Sequence, residues 1–141
     1  MMNILTQNAG IVRKGKKLFL EVSVTNTNQK DFIGIYKLKI QINVPTKIVS
    51  IDSLGCILPT GWKILSYDGD SVILSNGLDM ISATDRRNLL IAVKGKNIGG
   101  PSTISGQLSF SNGIAPGTEV GSLKNDLDGD NYSTTTCTVL K

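Results

Sequence analysis

At 141 residues, of which 40% are apolar, the chain suits one domain with its own core and carries no apolar run long enough to span a membrane. It contains no histidine, which excludes Ser-His and Cys-His nucleophile pairs, an imidazole base and any zinc site that uses His; with only two cysteines a Cys-rich zinc site is excluded as well. The net charge of +4 is uneven: residues 1–63 hold nine Lys/Arg against three Asp/Glu, residues 64–141 six against eight.

The densest basic run is Arg13, Lys14, Lys16 and Lys17 around Gly15. Nucleic-acid binding would pair such a run with stacking aromatics, and only Phe19 lies near, so the reading is a solvated basic turn with no nucleic-acid partner. The opening residues carry neither a charged leader nor a long apolar stretch, so the chain reads as intracellular or as a module excised from a longer exported protein.

Taken in chain order, the pattern is strand after strand. An opening strand is expected around residues 4–12. From 18 to 24 the even positions Leu18, Leu20, Val22 and Val24 are apolar while Glu21 and Ser23 face away. From 36 to 44 Tyr36, Leu38, Ile40, Ile42 and Val44 alternate with Lys37, Lys39, Gln41 and Asn43, the mark of an antiparallel sheet with one wet face. Pro45 ends that strand because it cannot donate to a ladder.

A short β-branched run covers 47–51. Residues 62–67 and 71–75 flank Asp68-Gly69-Asp70, a hairpin signal. The segment 77–87 reads as a loop or a single helical turn. Period-two burial then picks out Leu89, Ile91 and Val93, and after them Ile104, Leu108 and Phe110, with Gly106 on the same face where a neighbour packs closely. The Thr-rich segment 133–140 puts Cys137 and Val139 inward. These elements predict an all-β, Ig-like antiparallel β-sandwich of about eight or nine strands, residues 1–141 forming a single module.

Four segments also resemble, in order, a bacterial conserved-repeat Ig-like family of large cell-surface adhesins and cell-wall proteins. They are VSVTNTN (22–28), LPTGW (58–62), ISATDRRNLLIAV (81–93) and DNYSTTTCTV (130–139). Asn28 stands where the family has Gly, and the basic pair Arg86-Arg87 occupies the expected turn. The resemblance implies a non-enzymatic structural or adhesive repeat of an exported protein at the bacterial cell surface. Its partners would be neighbouring modules of the same chain and cell-surface glycans or proteins, and it transfers no catalytic residue. The rival reading is a small carbohydrate-binding sandwich attached to a secreted enzyme or adhesin.

Several residues are candidates for chemistry. Asp126, Asp128 and Asp130 supply positions 1, 3 and 5 of a calcium-loop pattern, which needs oxygen ligands at alternate positions. Asn131 and Cys137 stand where an EF-hand has Gly and Glu, so the expected alternatives are a shorter calcium site and an acidic turn. No cofactor is required; calcium is the one candidate. Tyr67 and Tyr132 are the aromatics expected to be exposed for sugar stacking, whereas Tyr36 and Trp62 share a face with core residues. Cys56 and Cys137 could close a disulfide, worth about 4–5 kcal/mol for so long a loop; the alternative is two separate buried thiols. LPTG at 58–61 lacks the spacing and tail of a sorting signal and reads as a turn.

Overall fold

The structure, a computed structural model, describes residues 2–26, 38–77, 79, 81, 84–110 and 132–141. Its strands are β1 (Met2–Thr6), β2 (Ile11–Arg13), β3 (Lys17–Thr25), β4 (Leu38–Asn43), β5 (Val49–Ile57), β6 (Lys63–Tyr67), β7 (Ser71–Ser75), β8 (Arg86–Gly95), β9 (Gly99–Phe110) and β10 (Tyr132–Leu140). They form a four-stranded sheet, order β1-β3-β8-β5, and a six-stranded sheet, order β2-β10-β9-β4-β7-β6, here sheets I and II. This is an Ig-like β-sandwich.

Alternation sets the architecture. In β3 the inward side chains Leu18, Leu20, Val22 and Val24 are all buried, and so are Leu38, Ile40 and Ile42 of β4. Leu89, Ile91 and Val93 of β8 add to the core from sheet I, and Val72, Leu74 and Ile104 from sheet II. A β-branched or leucine side chain at every second position fills one face of a pleated strand, and burying each such side chain contributes about 1.5–3 kcal/mol.

Gly106 has a particular reason to lack a side chain. A Cβ there would collide with Ile4 and stand 2.9 Å from the Ile42 Cδ1. The close packing expected at this glycine is therefore present, with Ile4 of β1 crossing over it.

The expected opening strand is divided. Asn8 and Ala9 both take left-handed backbone (φ 53 each) in a short 3-10 segment, Gln7–Gly10, so the chain leaves sheet I and re-enters in sheet II as β2. There β2 runs parallel to β10, Val12 opposite Val139. Its outer edge is closed by its own neighbours: the Ile11 N–H donates to the Asn8 carbonyl, and the Asn8 amide donates to the Ile11 carbonyl at 3.0 Å.

The two lateral openings of the sandwich are also tied. On one side the Ile4 N–H donates to Ser133 Oγ at 3.1 Å, joining β1 to β10. On the other, the Ile51 N–H donates to the Gly69 carbonyl at 3.1 Å and the Tyr67 hydroxyl to the Ile51 carbonyl at 2.7 Å, joining β5 to the β6–β7 hairpin. The hairpin turn itself is held by Asp68, whose carboxylate accepts from the Asp70 and Ser71 N–H groups at 3.0 and 2.8 Å. Both bonds hold that carboxyl below the usual carboxylate range.

Three boundaries differ from the sequence expectation. β5 continues through residues 52–57 by a bulge that alternation does not announce. Arg86 and Arg87, expected in a turn, begin β8 because Thr25 and Val24 of β3 pair with them. The segment before them is a loop rather than a helical turn at its described positions.

Candidate functional site

A connected polar cluster among the described residues centres on Asp79, in the loop between β7 and β8. Its carboxylate accepts from the Trp62 indole N–H at 2.7 Å and from Arg87 Nε and Nη2 at 2.8 and 3.1 Å. Arg87 also donates Nη1 to Asp85 at 2.8 Å. The Arg87 guanidinium, helped by the Trp62 N–H, holds the Asp79 carboxyl below the usual carboxylate range, and the two carboxylates push the Arg87 guanidinium further up.

This cluster is positioned by backbone capture. Buried Asn76 accepts from the Leu38 N–H at 3.0 Å and donates its amide to the Asp79 carbonyl at 2.7 Å. Asn26, at the end of β3, donates its side-chain amide to the Ile81 carbonyl at 3.0 Å, and its backbone pairs with Asp85 and Thr84. Every charge here is matched by a partner, and buried Trp62 has its one donor satisfied, so the arrangement fixes a loop.

The residues singled out from sequence are scattered. Asp126, Asp128 and Asp130 lie outside the described residues, as does Tyr36. Among the described residues no group of three or more Cys, Asp or Glu could hold a metal. Tyr67 exposes 47% of its surface, and its hydroxyl donates to the Ile51 carbonyl, which ties β6 to β5. Tyr132 is 54% exposed at the start of β10. Trp62 is buried, as expected.

Of the two alternatives for the cysteines, the structure has the separate one: Cys56 and Cys137 are free thiols. Cys56 sits in the bulge of β5, where its thiol donates to the Asp52 carbonyl at 3.4 Å. Cys137 is buried in β10 of sheet II. β5 flanks β7 while β10 flanks β1, so the thiols lie towards opposite sides of the sandwich. Burial pushes both thiols up from their ordinary value, which makes them poor nucleophiles.

The outer faces of the two sheets contrast. On sheet II one cross-strand row runs Tyr132, Gln107, Gln41, Ile73, and the next runs Thr134, Ser105, Asn43, Ser71. Among the described residues it is a hydroxyl- and amide-rich face that exposes the Tyr132 ring. Sheet I carries Leu5, Phe19 and Leu90 outward among charged neighbours.

No family model matches the chain, and no curated protein does. Solved structures do match. The CARDB domain of a Pyrococcus furiosus protein, in complex with di-metal ions, is 11% identical with a TM-score of 0.56, over 99% of this chain and 86% of that one. The major pilin subunit of Bacillus cereus is 11% identical with a TM-score of 0.61; the match covers 99% of this chain and 40% of the pilin. A non-cellulosomal cohesin from Archaeoglobus fulgidus is 8% identical with a TM-score of 0.53, over 99% and 91% of the two chains. The fold is that of an Ig-like β-sandwich module. At such identities the likeness speaks to architecture alone.

Proposed function

We propose that this chain is a non-enzymatic structural or adhesive module of an exported bacterial cell-surface protein. The observation that carries the reading is the polarity of the outer strands. β1 pairs antiparallel with β3 while β2, its continuation, runs parallel to β10 in the other sheet. β1 starts at the end of the sandwich marked by Thr25 and Arg86; β10 finishes at the end marked by Lys14, whose N–H donates to the Leu140 carbonyl at 2.8 Å. A pull along β1 and β10 in opposite directions loads these ladders along the strand axis, across their hydrogen bonds, so many bonds resist together. That geometry suits a module that transmits tension between neighbours in the same chain. Pilin and cohesin modules with the same architecture support the setting.

Single-molecule extension of a concatemer of this domain tests it. Each copy is expected to yield in one resolved force peak, and Val12→Pro, which places a non-donor in the β2–β10 ladder, lowers that peak. Extension with no resolved peak, or a peak unchanged in Val12→Pro, would contradict the reading.

A second reading rests on the face of sheet II: the row Tyr132, Gln107 and Gln41 offers a ring beside amides, the groups a glycan-binding face uses. Binding on a glycan array that vanishes in Tyr132→Ala supports it, and an array without binding removes it.

A further inference from the structure

Sheet I has two unlike edges. On one, β1 pairs with β3 only as far as Thr6 opposite Leu20, because the chain then crosses to sheet II as β2. Lys17 to Phe19 therefore have β8 on one side and no strand on the other among the described residues. A groove of about 400 Å³ opens there, walled by Ile11, Phe19 and Leu140. Of the three cations in its lining, Lys17 is already held by Asp52 at 2.9 Å, which leaves Arg13 and Lys16. Arg13 rests on the Lys141 carbonyl at 2.8 Å and keeps its charge. Among the described residues no carboxylate lines the groove.

The other edge projects. In β5, Asp52 stands opposite Ala92 and Ile57 opposite Leu90, so residues 53–56 bulge out against Ile91 alone. Leu54, within that bulge, is 96% exposed, and Ile57 at its end 59%. The bulge is pinned from three directions. Lys17 holds the Asp52 carboxylate, and the Cys56 thiol donates to the Asp52 carbonyl at 3.4 Å. Gly55 seats so closely on the sheet that a Cβ there would stand 2.9 Å from the Ala92 side chain. A knob already fixed in position loses little freedom on docking. Beside it, the β6–β7 hairpin leans on Ile51 and carries Asp68 and Asp70, both exposed.

We infer that copies of this domain dock side by side, Leu54 of one entering the groove of the next while Asp68 and Asp70 face Arg13 and Lys16. Knob and groove stand at one height on opposite edges, since Phe19 pairs with Ala92 and Gly55 rests on it. On both edges the charges lie towards Gly95: Lys16 bonds to it, and Gly69, between the two aspartates, bonds to Ile51 opposite Val93. A second copy is the occupant that answers both edges, because it brings an apolar side chain for the groove and carboxylates for its cations. A fatty acid would answer the groove alone and leave Leu54 in water. The two surfaces differ, so the contact is heterologous: every copy keeps a free knob and a free groove, and association continues past the dimer. The inference rests on these two edges and not on the surface-module reading.

Analytical ultracentrifugation tests it at about 0.15 M salt, where the net charge of +4 is screened beyond about 8 Å. The mean mass of the wild type is expected to rise with concentration and to pass that of a dimer. Leu54→Lys, which removes the knob, should associate at least about tenfold more weakly, and so should the double variant Ile11→Glu, Lys16→Glu, which spoils the groove. Mixed together, the two variants should form a one-to-one dimer and nothing larger, because one keeps its groove and the other its knob. All three side chains are exposed, so unchanged melting midpoints would confirm that the variants fold. A wild type that stays monomeric up to about millimolar concentration, a mass that stops at the dimer, or a mixture that stays monomeric would overturn the inference. So would dodecanoate that fills the groove, seen as amide shifts at Phe19, without lowering the wild-type mass.

Discussion

The Trp62 indole and the Arg87 guanidinium converge on one carboxylate: Asp79 accepts from Trp62 at 2.7 Å and from Arg87 at 2.8 Å. A buried ring and the start of β8 are thereby joined through a loop residue. Replacing Asp79 with Ala removes three hydrogen bonds, one from Trp62 and two from Arg87, and should cost about 2–3 kcal/mol in urea denaturation. Trp62→Phe removes only one bond and part of the ring, and should cost less. The two changes should be non-additive in a double-mutant cycle, because they share a partner.

The same carboxylate sets an acid limit. Its folded-state pKa lies below the unfolded value, chiefly through Arg87, so the folded state binds fewer protons than the unfolded state in the interval between them. The stabilisation is complete above the unfolded carboxylate value of about 3.9 and is lost as pH falls through the lower folded value. Melting midpoints of the wild type should decline below about pH 4, and less steeply in Asp79→Asn. Equal slopes would show that Asp79 is not the group responsible.

A side chain at Gly106 must displace the Cδ1 ends of Ile4 and Ile42. Gly106→Ala drives a methyl group into Ile4 and Ile42 and should destabilise by about 1–3 kcal/mol. Adding Ile42→Val, which removes a methyl group near the clash, should recover part of the loss. A neutral Gly106→Ala would mean that the ends of Ile4 and Ile42 move aside without cost, against this prediction.

Both thiols are expected to react only slowly in the folded protein, Cys137 the more slowly because it is buried. Under denaturing conditions without reductant, two thiols per chain should titrate. Reductant should leave the melting midpoint unchanged. A midpoint lowered by reductant would restore the bridge.

The strands that the sequence reveals most plainly are those in which alternation and burial coincide. Leu18 to Val24 and Leu38 to Ile42 needed no long-range information, since period two alone determines which face is wet. The division of β1 from β2 was not legible, because it depends on left-handed backbone at Ala9, a residue with no local preference for it. Arg86 and Arg87 were read as a turn from their charge, whereas pairing with β3 extends the strand through them. The Asp79 cluster was missed although a signal existed: a tryptophan expected in the core must find a partner for its N–H, and Asp79 and Asp85 were the acidic residues of the adjoining loop. The cross-strand row Leu5, Glu21, Leu90, Ile57 on sheet I could not be seen at all from sequence, since its members belong to separate strands and only the register aligns them.

Display at the cell surface is tested most directly by labelling intact cells of the source organism with an antibody raised against this domain. Labelling of intact cells that is abolished by brief external protease treatment is the predicted result. Labelling that appears only after the cells are permeabilised would contradict a surface module.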